Sequence, residues 1–469
     1  IQFVVYTTAR MAYNAAWHPL RKIPGPFLHR VTSIPWLITW VSGLSHRALL
    51  KLHEQYGPVV RTAPNEVSFI SDTAQQQIYG TEAIKRDPQR FARFIEGEQD
   101  IANYDQESDH RRFRKAIYQT VTGSALLTHE GIIRRNASVL RERLDAAVLQ
   151  GGGEGRVDVT KLYSWLTFDL AGDFMWREPF GCLQNMTSHP WLAAMEFMTF
   201  GTYFRLVGVS SLLQKLIWAV IPKRIRDYPR RVIQAKCESS SRNSKDAGES
   251  VFFLMRQRKT LSPTEMDANL MVLGVASSVT VHSAVLAATA FLAVHKQCAD
   301  RARKEVRAAF VREEDIAHPA VTNLPYLNAV FMEAFRLCPA QPTSGPRRVL
   351  DASVTIDGHC LPQGTIIRAP QYCSGRYSRF FRDPHEFHPE RWLDSLDYSS
   401  DDKKVVNPFL LGRQSCPGRQ LAEMEMTHVL ARMLWAFDWE LEEPEFDISS
   451  WRSSMVWEVP PLILRLTPM

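Results

Sequence analysis

The clearest pattern in the sequence is a long, mostly apolar stretch that begins at a helix cap. Ser262 suits the cap position, Pro263 the first helical position and Glu265 the acidic position of a capping box. Apolar residues then dominate from Met266 to about His295, which predicts a helix of about 30 residues and about 45 Å. Because apolar residues lie on nearly every side of it, we expect this helix to run through the protein interior.

Shorter patterns predict small sheets in a mainly helical chain. Helical periodicity dominates from about residue 71 to 340 and returns from Arg419 to about Phe437. The runs that alternate like strands are 59–62, 66–70, 353–356 and 365–369. The last two are predicted to pair around the Asp357–Gly358 turn. The predicted fold class is therefore mainly α with small β-sheets (α+β).

The N-terminal region differs in composition from the rest of the chain. Residues 1–17 are largely apolar but include Arg10 and Asn14, so they are too short and too polar to span a bilayer alone. We interpret them as the remnant of an N-terminal membrane anchor; a terminal helix docked on the protein is the alternative. The prolines of residues 18–30 predict a stiff, non-helical hinge. Since no repeat or long linker follows, residues 31–469 are expected to form a single domain.

Composition narrows the functional classes. The chain is 45% hydrophobic and 23% charged, which is typical of a soluble globular body. Its net charge of +6, without a dense basic run, suits an acidic protein partner or an anionic membrane better than nucleic acid. The seven cysteines are scattered and form no Cys-x-x-Cys pair, which argues against a disulfide framework and against a zinc site.

The most informative segment is the loop around Cys416. From Asn407 to Gly418 it reads N-P-F-L-L-G-R-Q-S-C-P-G, and its prolines and glycines predict a tight, irregular loop. A helix that begins just after Cys416 would direct free N–H groups and the positive end of its dipole toward the sulfur. These features lower the pKa of a thiol and favour the thiolate, which is the form that binds metal. A lone cysteine on a turn is otherwise simply buried, so the loop alone leaves both interpretations open.

Two further motifs accompany the loop. Glu333 and Arg336 lie three residues apart on one predicted helix face and can pair, and Arg391 follows in Pro389-Glu390-Arg391-Trp392. In this order and at these separations, the three motifs resemble the cytochrome P-450 superfamily of haem-thiolate enzymes, especially its microsomal fungal members of specialised metabolism. The likeness covers nearly the whole chain. It extends to the proline hinge and to residues 109–114, 324–328 and 355–358.

The resemblance implies the cytochrome P-450 fold, with the long central helix over haem, and residues 31–469 as a haem-thiolate catalytic domain. Cys416 would be the metal ligand, bound to the iron of haem b. Phe409 would cover the sulfur, and Gly412 and Gly418 would shape the loop around the cofactor. The residues of the implied structural triad are Glu333, Arg336 and Arg391.

Haem also carries two propionates, which need charged partners. The resemblance assigns this role to Arg114, with His110 at the position of the family's usual tryptophan, and to Arg347. The adjacent Arg348 is an alternative to Arg347. Gln414 departs from the family pattern, which has arginine there, so this position adds no charge.

The long helix departs from the family pattern where oxygen is activated. The family usually has an acid followed by threonine, but aligning residues 273–278 places Ala276 at the acid and Ser277 at the threonine. Gly274 would form the groove beside haem, and Ser277 or Ser278 would hold a water that relays protons. Alternatively, the substrate supplies the missing group, or both serines bond to carbonyls of their own helix.

Three functions are compatible with these features. The first is a monooxygenase that hydroxylates, epoxidises or repeatedly oxidises a lipophilic natural product. It would use molecular oxygen and NADPH electrons delivered by a flavoprotein reductase. The second is a redox-neutral enzyme that dehydrates, rearranges or cyclises its substrate, because Ala276 replaces the acid. The third is a non-catalytic haem-binding protein.

The resemblance also implies a location and contact surfaces. We expect a monomer at the endoplasmic reticulum membrane, with the catalytic domain facing the cytosol and no nucleic-acid partner. The segments expected to line the substrate pocket are 91–104, 197–204, 343–345 and 455–457. The cations expected to receive the reductase are Arg111, Arg112, Lys115, Arg413 and Arg419.

Overall fold

The computed structural model describes residues 2–87, 95, 97–194, 222–242, 250–443, 447–453 and 456–469. The helices of this part of the chain are α1 Gln2–Ala16, α2 Phe27–Val31, α3 Ile34–Val41, α4 Ser45–Tyr56, α5 Asp72–Gly80, α6 Glu107–Tyr118, α7 Ser124–Gln150, α8 Val159–Trp176, α9 Cys182–Asn185, α10 Lys223–Arg226, α11 Tyr228–Arg242, α12 Val251–Gln257, α13 Pro263–Val294, α14 Lys296–Ala309, α15 Pro325–Leu337, α16 Gln371–Arg376 and α17 Arg419–Ala436. The strands are β1 Val59–Ala63, β2 Glu66–Phe69, β3 Ile84–Arg86, β4 Gly155–Asp158, β5 Arg347–Val349, β6 Ser353–Ile356, β7 His359–Pro362, β8 Ile366–Arg368, β9 Phe437–Leu441, β10 Arg452–Ser453, β11 Trp457–Glu458 and β12 Ile463–Pro468. The predicted mainly α fold with small sheets is confirmed.

The long helix predicted from the apolar stretch is α13. The Ser262 side chain accepts a hydrogen bond from the Glu265 N–H, and the Glu265 carboxylate accepts one from the Ser262 N–H, so the predicted capping box is present. The helix packs along α8 and also contacts α15 and α17. Among the described helices, α13 is the one long and apolar enough to cross a membrane, and its position in the core explains this composition.

The largest sheet has five strands in the order β1-β2-β8-β5-β3. The predicted pairing of residues 353–356 with 365–369 is wrong. Instead, β6 pairs with β7, which follows the Asp357–Gly358 turn directly, and β8 lies between β2 and β5. Both turn residues have positive φ, which is typical of the two-residue hairpin turn that brings adjacent strands together.

The predicted non-helical hinge over residues 18–30 is only partly correct. The chain is extended around Pro24, but Pro19–Lys22 forms a 3-10 turn and α2 begins at Phe27. The segment is also held against β1, because the Arg61 N–H donates to the Pro24 carbonyl at 2.7 Å. This hydrogen bond attaches the segment between the N-terminal helices to the five-stranded sheet.

Candidate functional site

The cysteine loop, which comprises residues 407–418, places Cys416 directly before α17. Gln414 ends a 3-10 turn that begins at Gly412, and the Cys416 N–H donates to the Phe409 carbonyl at 2.7 Å. Gly412 has a φ of +58°, and a Cβ there would lie 3.0 Å from the Tyr79 carbonyl oxygen, so this position favours glycine. At Gly418, a Cβ would meet only the Cys416 Sγ, at 4.0 Å. The loop therefore leaves space beside Cys416, which is an exposed residue.

The surroundings of Cys416 do not by themselves ionise the thiol. Although the side chain is accessible, enough protein surrounds it that desolvation raises its pKa above the ordinary value. The Gly418 N–H and the charge of Arg114 act in the opposite direction but do not prevail. The prediction that the loop and the helix alone lower this pKa is therefore wrong. Metal binding is what removes the proton from a thiol of this kind.

The predicted triad assembles in the interior, from α15 and the 3-10 turn Pro389–Trp392. Arg336 donates to the two carboxylate oxygens of Glu333 at 2.7 and 2.8 Å, and Arg391 Nε donates to the same carboxylate at 3.2 Å. All three side chains are fully buried. Burial alone would raise the pKa of Glu333, but the two guanidinium groups hold it below its ordinary value. The cluster is therefore ionised at neutral pH.

Other groups satisfy most of the remaining polar atoms of the triad, although Arg391 Nη2 has no hydrogen-bond partner in the described part of the chain. Arg336 also donates, at 2.6 to 2.7 Å, to the carbonyls of Gly375, Pro384 and Glu386. Trp392 Nε1 donates to Glu333 at 2.8 Å, and Asp401 forms a close ion pair with Arg391. Sequence reasoning missed Asp401, because it lies in a loop without a motif. Arg336 is rigidly held, since its charge is met by carbonyls from a second part of the chain.

Aromatic and amide contacts connect the cysteine loop to the rest of the protein. Phe335 on α15 lies edge-to-face against Phe409, with 5.7 Å between ring centroids. At the start of the loop, Asn407 Nδ2 donates to Gln75 Oε1 at 3.1 Å, and the Asn407 N–H donates to Gln371 Oε1 at 3.2 Å. Gln371 Nε2 also donates to Gln75 Oε1, at 3.3 Å. We call Gln75, Gln371 and Asn407 the amide network; it joins the loop to α5 and α16.

Two of the predicted propionate partners have protein partners. Arg114 donates to the Ser415 carbonyl at 2.5 Å and to the Ser415 hydroxyl at 3.0 Å, so it lies next to the cysteine loop. His110 Nδ1 is 3.3 Å from Glu107 Oε1, and its ring stacks on Tyr104 at 4.5 Å. Burial lowers the pKa of His110, although Glu107 opposes the shift. Of these two residues, Arg114 is therefore the one that is hydrogen-bonded to the residue next to Cys416.

Arg347 is a buried cation without a carboxylate partner among the described residues. It is 3% exposed, Nη1 is in close contact with Gln414 Oε1, and Nε has no hydrogen-bond partner in the described structure. By contrast, Arg348 pairs with Asp87 at 3.0 Å. A buried guanidinium needs a negative charge. Arg347, rather than Arg348, therefore fits the anionic edge of a cofactor such as haem.

The structure contradicts the predicted groove at Gly274. A Cβ on Gly274 would lie 3.4 Å from both Met175 on α8 and Trp191, so this side of α13 packs against protein. Ser278, one turn later, is buried on the same side and donates to the Gly274 carbonyl at 2.6 Å. Ser277 donates to the Leu273 carbonyl at 2.7 Å. Both hydroxyls are thus used within the helix.

The opposite side of α13 forms its open face, which we define by Ala276 and Thr280. These residues lie about 200° and 240° around the helix from Gly274. Ala276 is exposed in the middle of a core helix, and Thr280 Oγ1 donates to the Ala276 carbonyl at 2.6 Å. On the same side, Asn269 Oδ1 accepts from the Ile101 N–H at 2.9 Å, which brings Ile101 of the predicted pocket segment to this face. The sequence analysis did not consider Thr280, because it aligned the helix from Gly274.

The predicted pocket segments are described only in part. Residues 88–94, 96, 195–221 and 454–455 lie outside the described residues, and they include the whole of the predicted segment 197–204. Thr343 is buried. Trp457 is buried as well, and its Nε1 donates to the Pro339 carbonyl at 2.8 Å. Trp457 is thus part of the core in this structure.

A mainly helical fold with a cysteine loop, an adjacent buried ionic triad and a long central helix defines the class of haem-thiolate proteins. A family model described as cytochrome P-450 matches residues 23–465, and the chain belongs to that family. It is therefore an oxidoreductase.

Curated relatives match over nearly their full lengths. The cytochrome P-450 monooxygenase sdnF of Sordaria araneosa is 35% identical, over 98% of this chain and 91% of the relative. Averantin hydroxylase of Dothistroma septosporum is 31% identical, over 99% of this chain and 90% of the relative. Trichothecene C-15 hydroxylase of Fusarium sporotrichioides is 30% identical, over 99% and 96%. These relatives support oxidation chemistry in fungal secondary metabolism.

Proposed function

We propose that this chain is a haem b monooxygenase that hydroxylates, epoxidises or repeatedly oxidises a lipophilic natural product of a fungal pathway. The observation that carries the proposal is an accessible Cys416 at the start of α17 together with the buried Arg347, which has no carboxylate partner among the described residues. The sulfur suits an iron ligand, and the guanidinium suits a propionate of the same cofactor. The printed names of two relatives, both hydroxylases, support this reaction class.

In this proposal Cys416 binds the iron, and the cysteine loop keeps the sulfur in place. Arg347 binds a propionate, and Gln414 contributes a neutral hydrogen bond beside it. Bound haem would supply thiolate-supported activation of molecular oxygen. The electrons come from NADPH through a flavoprotein reductase.

We assign the hydroxyl that faces the substrate pocket to Thr280 rather than to Ser277 or Ser278. Thr280 donates to the Ala276 carbonyl, which leaves its oxygen lone pairs free to accept a hydrogen bond from a water on the open face. In contrast, Ser278 is buried on the side of Gly274. Thr280 would therefore hold a water at the open face, whereas Ser278 is buried on the opposite side of the helix.

A redox-neutral reaction is the second candidate, because α13 lacks a carboxylate near its open face. The acids of this helix are Glu265 and Asp267, both in its first turn and a half, and Glu265 is bound by Arg112 at 2.6 Å. No side chain between Ala268 and Val294 can therefore shuttle a proton as an acid. His282 does not replace one, since burial lowers its pKa to about 4 and its ring bonds to the Thr160 carbonyl. A dehydration, rearrangement or cyclisation would need no proton delivery for oxygen activation.

We further propose a monomer at the endoplasmic reticulum membrane, with its catalytic domain facing the cytosol and without a nucleic-acid partner. Of the five cations predicted to receive the reductase, Arg112, Arg413 and Arg419 have carboxylate partners within the protein. Arg111 and Lys115 are exposed on the outer side of α6. The reductase contact therefore depends mainly on these two residues.

The test is conversion of candidate lipophilic metabolites by the haem-loaded protein with NADPH, reductase and oxygen supplied or omitted one at a time. A monooxygenase forms an oxygenated product only when all three are present. Conversion without electrons would replace this proposal with the redox-neutral candidate. If haem is bound but every pathway intermediate is returned unchanged, the protein is the non-catalytic haem binder.

A further inference from the structure

The edge of the five-stranded sheet places two arginines directly opposite each other. Strands β3 and β5 are antiparallel, and Arg86 of β3 pairs in register with Arg347 of β5. Side chains at such positions lie on one face of the sheet, with Cβ atoms about 4.5–5.5 Å apart. Ile84 and Val349 on the same face are buried, so both arginines lie on the side of the sheet that faces the protein interior. Like charges in this arrangement repel each other, and an anion between them is attracted to both.

The amide of Gln414 orders Arg347 without neutralising it. Gln414 Oε1 is in close contact with Arg347 Nη1, and Gln414 Nε2 donates to the Ile84 carbonyl of β3 at 3.4 Å. Both ends of the amide therefore bind the protein and connect the cysteine loop to the two strands. Arg347 Nε still has no hydrogen-bond partner in the described structure. The charge of Arg347 thus needs a counter-charge that Gln414 does not supply.

Tyr79, near the end of α5, adds a buried hydroxyl beside Arg347. The guanidinium group lies over the tyrosine ring, 4.5 Å from its centroid. Tyr79 is 1% exposed, and its hydroxyl has no hydrogen-bond partner among the described residues. A buried hydroxyl without a partner costs stability, and a ligand that accepts its hydrogen would remove this cost. The Tyr79 carbonyl lies against Gly412, so this side chain belongs to the surroundings of the cysteine loop.

The charge of Arg86 also reaches His110, on the other side of the expected cofactor site. Burial, the main cause in both cases, lowers the pKa of His110 and raises the pKa of Tyr104, whose ring stacks on it. The positive charge of Arg86 acts to lower both pKa values, so Arg86 is close to this stack as well as to Arg347. By contrast, the adjacent Lys85 lies on the opposite face of β3, and its Nζ donates to a loop carbonyl at 2.8 Å. Of these two cations, Arg86 is therefore the one on the side of the cofactor site.

We propose that Arg86 and the Tyr79 hydroxyl bind a carboxylate of haem b together with Arg347. Arg86 then supplies from β3 the second positive charge that Gln414 does not provide in the cysteine loop. This inference rests on the proposed function, since haem b is the cofactor that carries the carboxylates. Two guanidinium groups would form charge-assisted hydrogen bonds with one carboxylate, and the tyrosine hydroxyl would donate another. The cofactor would thus be held at this edge by the sheet and α5.

The experiment follows the transfer of haem from the purified, haem-loaded chain to apomyoglobin and measures the midpoint reduction potential of the same samples. The variants are Arg86→Met, Arg86→Lys and Tyr79→Phe. Lys85→Met is the matched control, because it removes a cation from the adjacent position on the opposite face of β3. The ferrous–CO spectrum of each sample shows whether Cys416 still binds the iron, and denaturant unfolding shows whether the fold is retained.

We expect Arg86→Met to transfer haem at least about tenfold faster than wild type, because the carboxylate loses a charged hydrogen-bond partner. Its reduction potential should fall, since a positive charge near the iron favours the ferrous state. Arg86→Lys retains the charge, so it should keep the wild-type potential and transfer haem at an intermediate rate. Tyr79→Phe should transfer haem about threefold faster, with little change in potential. Lys85→Met should match wild type in both measurements.

The inference is overturned if Arg86→Met keeps the haem-transfer rate and the potential of wild type. It is also overturned if Lys85→Met has the same effect as Arg86→Met, or if Arg86→Lys lowers the potential as much as Arg86→Met does. In either case the strand, and not the charge of Arg86, would be responsible. A wild type without the red-shifted ferrous–CO band would refute the proposed function and this inference together. A normal band in wild type with an unaffected Arg86→Met variant would refute this inference alone.

Discussion

The cysteine loop and the open face of α13 are built in opposite ways. At the cysteine loop, the supporting charges have partners: Glu333 meets two guanidinium groups, and Arg391 also meets Asp401. On the open face, Ala276 has no functional group, and the Thr280 hydroxyl donates to a carbonyl of its own helix. The first region is held rigidly by buried ion pairs. On the second, proton transfer would depend on water and substrate.

The rigid region suits binding of a cofactor, whereas the open face suits contact with water and substrate. Buried ionic clusters tolerate little change, because removal of one partner leaves an uncompensated charge. A helix face that is open to a pocket can change its side chains without unfolding the protein. We therefore expect substitutions in the cysteine loop and the triad to cost more stability than substitutions on the open face of α13.

The largest effect is expected for Cys416→Ser. We expect complete loss of the red-shifted ferrous–CO band and of all turnover, because a serine hydroxyl cannot supply the thiolate. Cys360→Ser is the matched control, since Cys360 is also accessible but lies on β7. If Cys416→Ser retained the wild-type spectrum, Cys416 would not be the iron ligand, and the proposed function would be wrong.

The next largest effect is expected for Glu333→Gln. This substitution leaves two buried arginines without their shared carboxylate and should cost about 3–5 kcal/mol in the free energy of unfolding. Denaturant unfolding and haem content of the purified protein measure the effect. Glu390→Gln is the control, because Glu390 is partly exposed and pairs with Arg301. A Glu333→Gln protein as stable as wild type would show that the triad does not brace the fold.

The same carboxylate predicts a pH dependence. The pKa of Glu333 in the folded protein is below its ordinary value of 4.5. Its contribution to stability is therefore complete above that ordinary value and is lost as the pH falls through the lower, folded-state pKa. Unfolding of wild type should thus become easier at acidic pH, and the Glu333→Gln variant should lack this part of the dependence.

The sequence predicted the cysteine side of the site better than the helix side, and the reason is physical. Cys416, Glu333 and Arg391 are identifiable because each occurs in a short motif whose spacing is set by local geometry. The functional side of α13 could not be predicted from the sequence in this way, because an apolar helix offers little periodicity to show which side faces the pocket. Asp401 and the pairing of β6 with β7 depend on contacts between loops and strands that no local pattern encodes.

A comparison of the variants Thr280→Val and Ser278→Ala tests which side of α13 faces the pocket. Valine has the shape of threonine without the hydroxyl, so we expect product formation to fall by about 10²-fold, with more peroxide released. The ferrous–CO spectrum should not change. Ser278→Ala should alter turnover little, because that hydroxyl is buried on the side of Gly274. The opposite ranking of the two variants would restore the serines as the functional hydroxyls.

The variant Ala276→Asp tests whether the lack of a carboxylate on the open face limits the reaction. If the open face relays protons through water alone, a carboxylate there should raise product per NADPH consumed and lower peroxide. Val275→Asp, about 100° from Ala276 around the helix, is the positional control. Unchanged coupling in Ala276→Asp would indicate that proton delivery does not limit the reaction and that water and substrate already suffice.

The smallest effect is expected at the amide network. Gln75 is fully buried and donates to the Val405 carbonyl at 2.9 Å while accepting from Asn407, so it holds the start of the cysteine loop. Gln75→Leu should cost about 1–3 kcal/mol in stability. Because the loop loosens, a fraction of the protein should also lose the thiolate-type ferrous–CO band. Gln76→Leu, at an exposed neighbour on α5, should change neither property. A loss of stability without any spectral change would mean that the network supports the fold but does not position the sulfur.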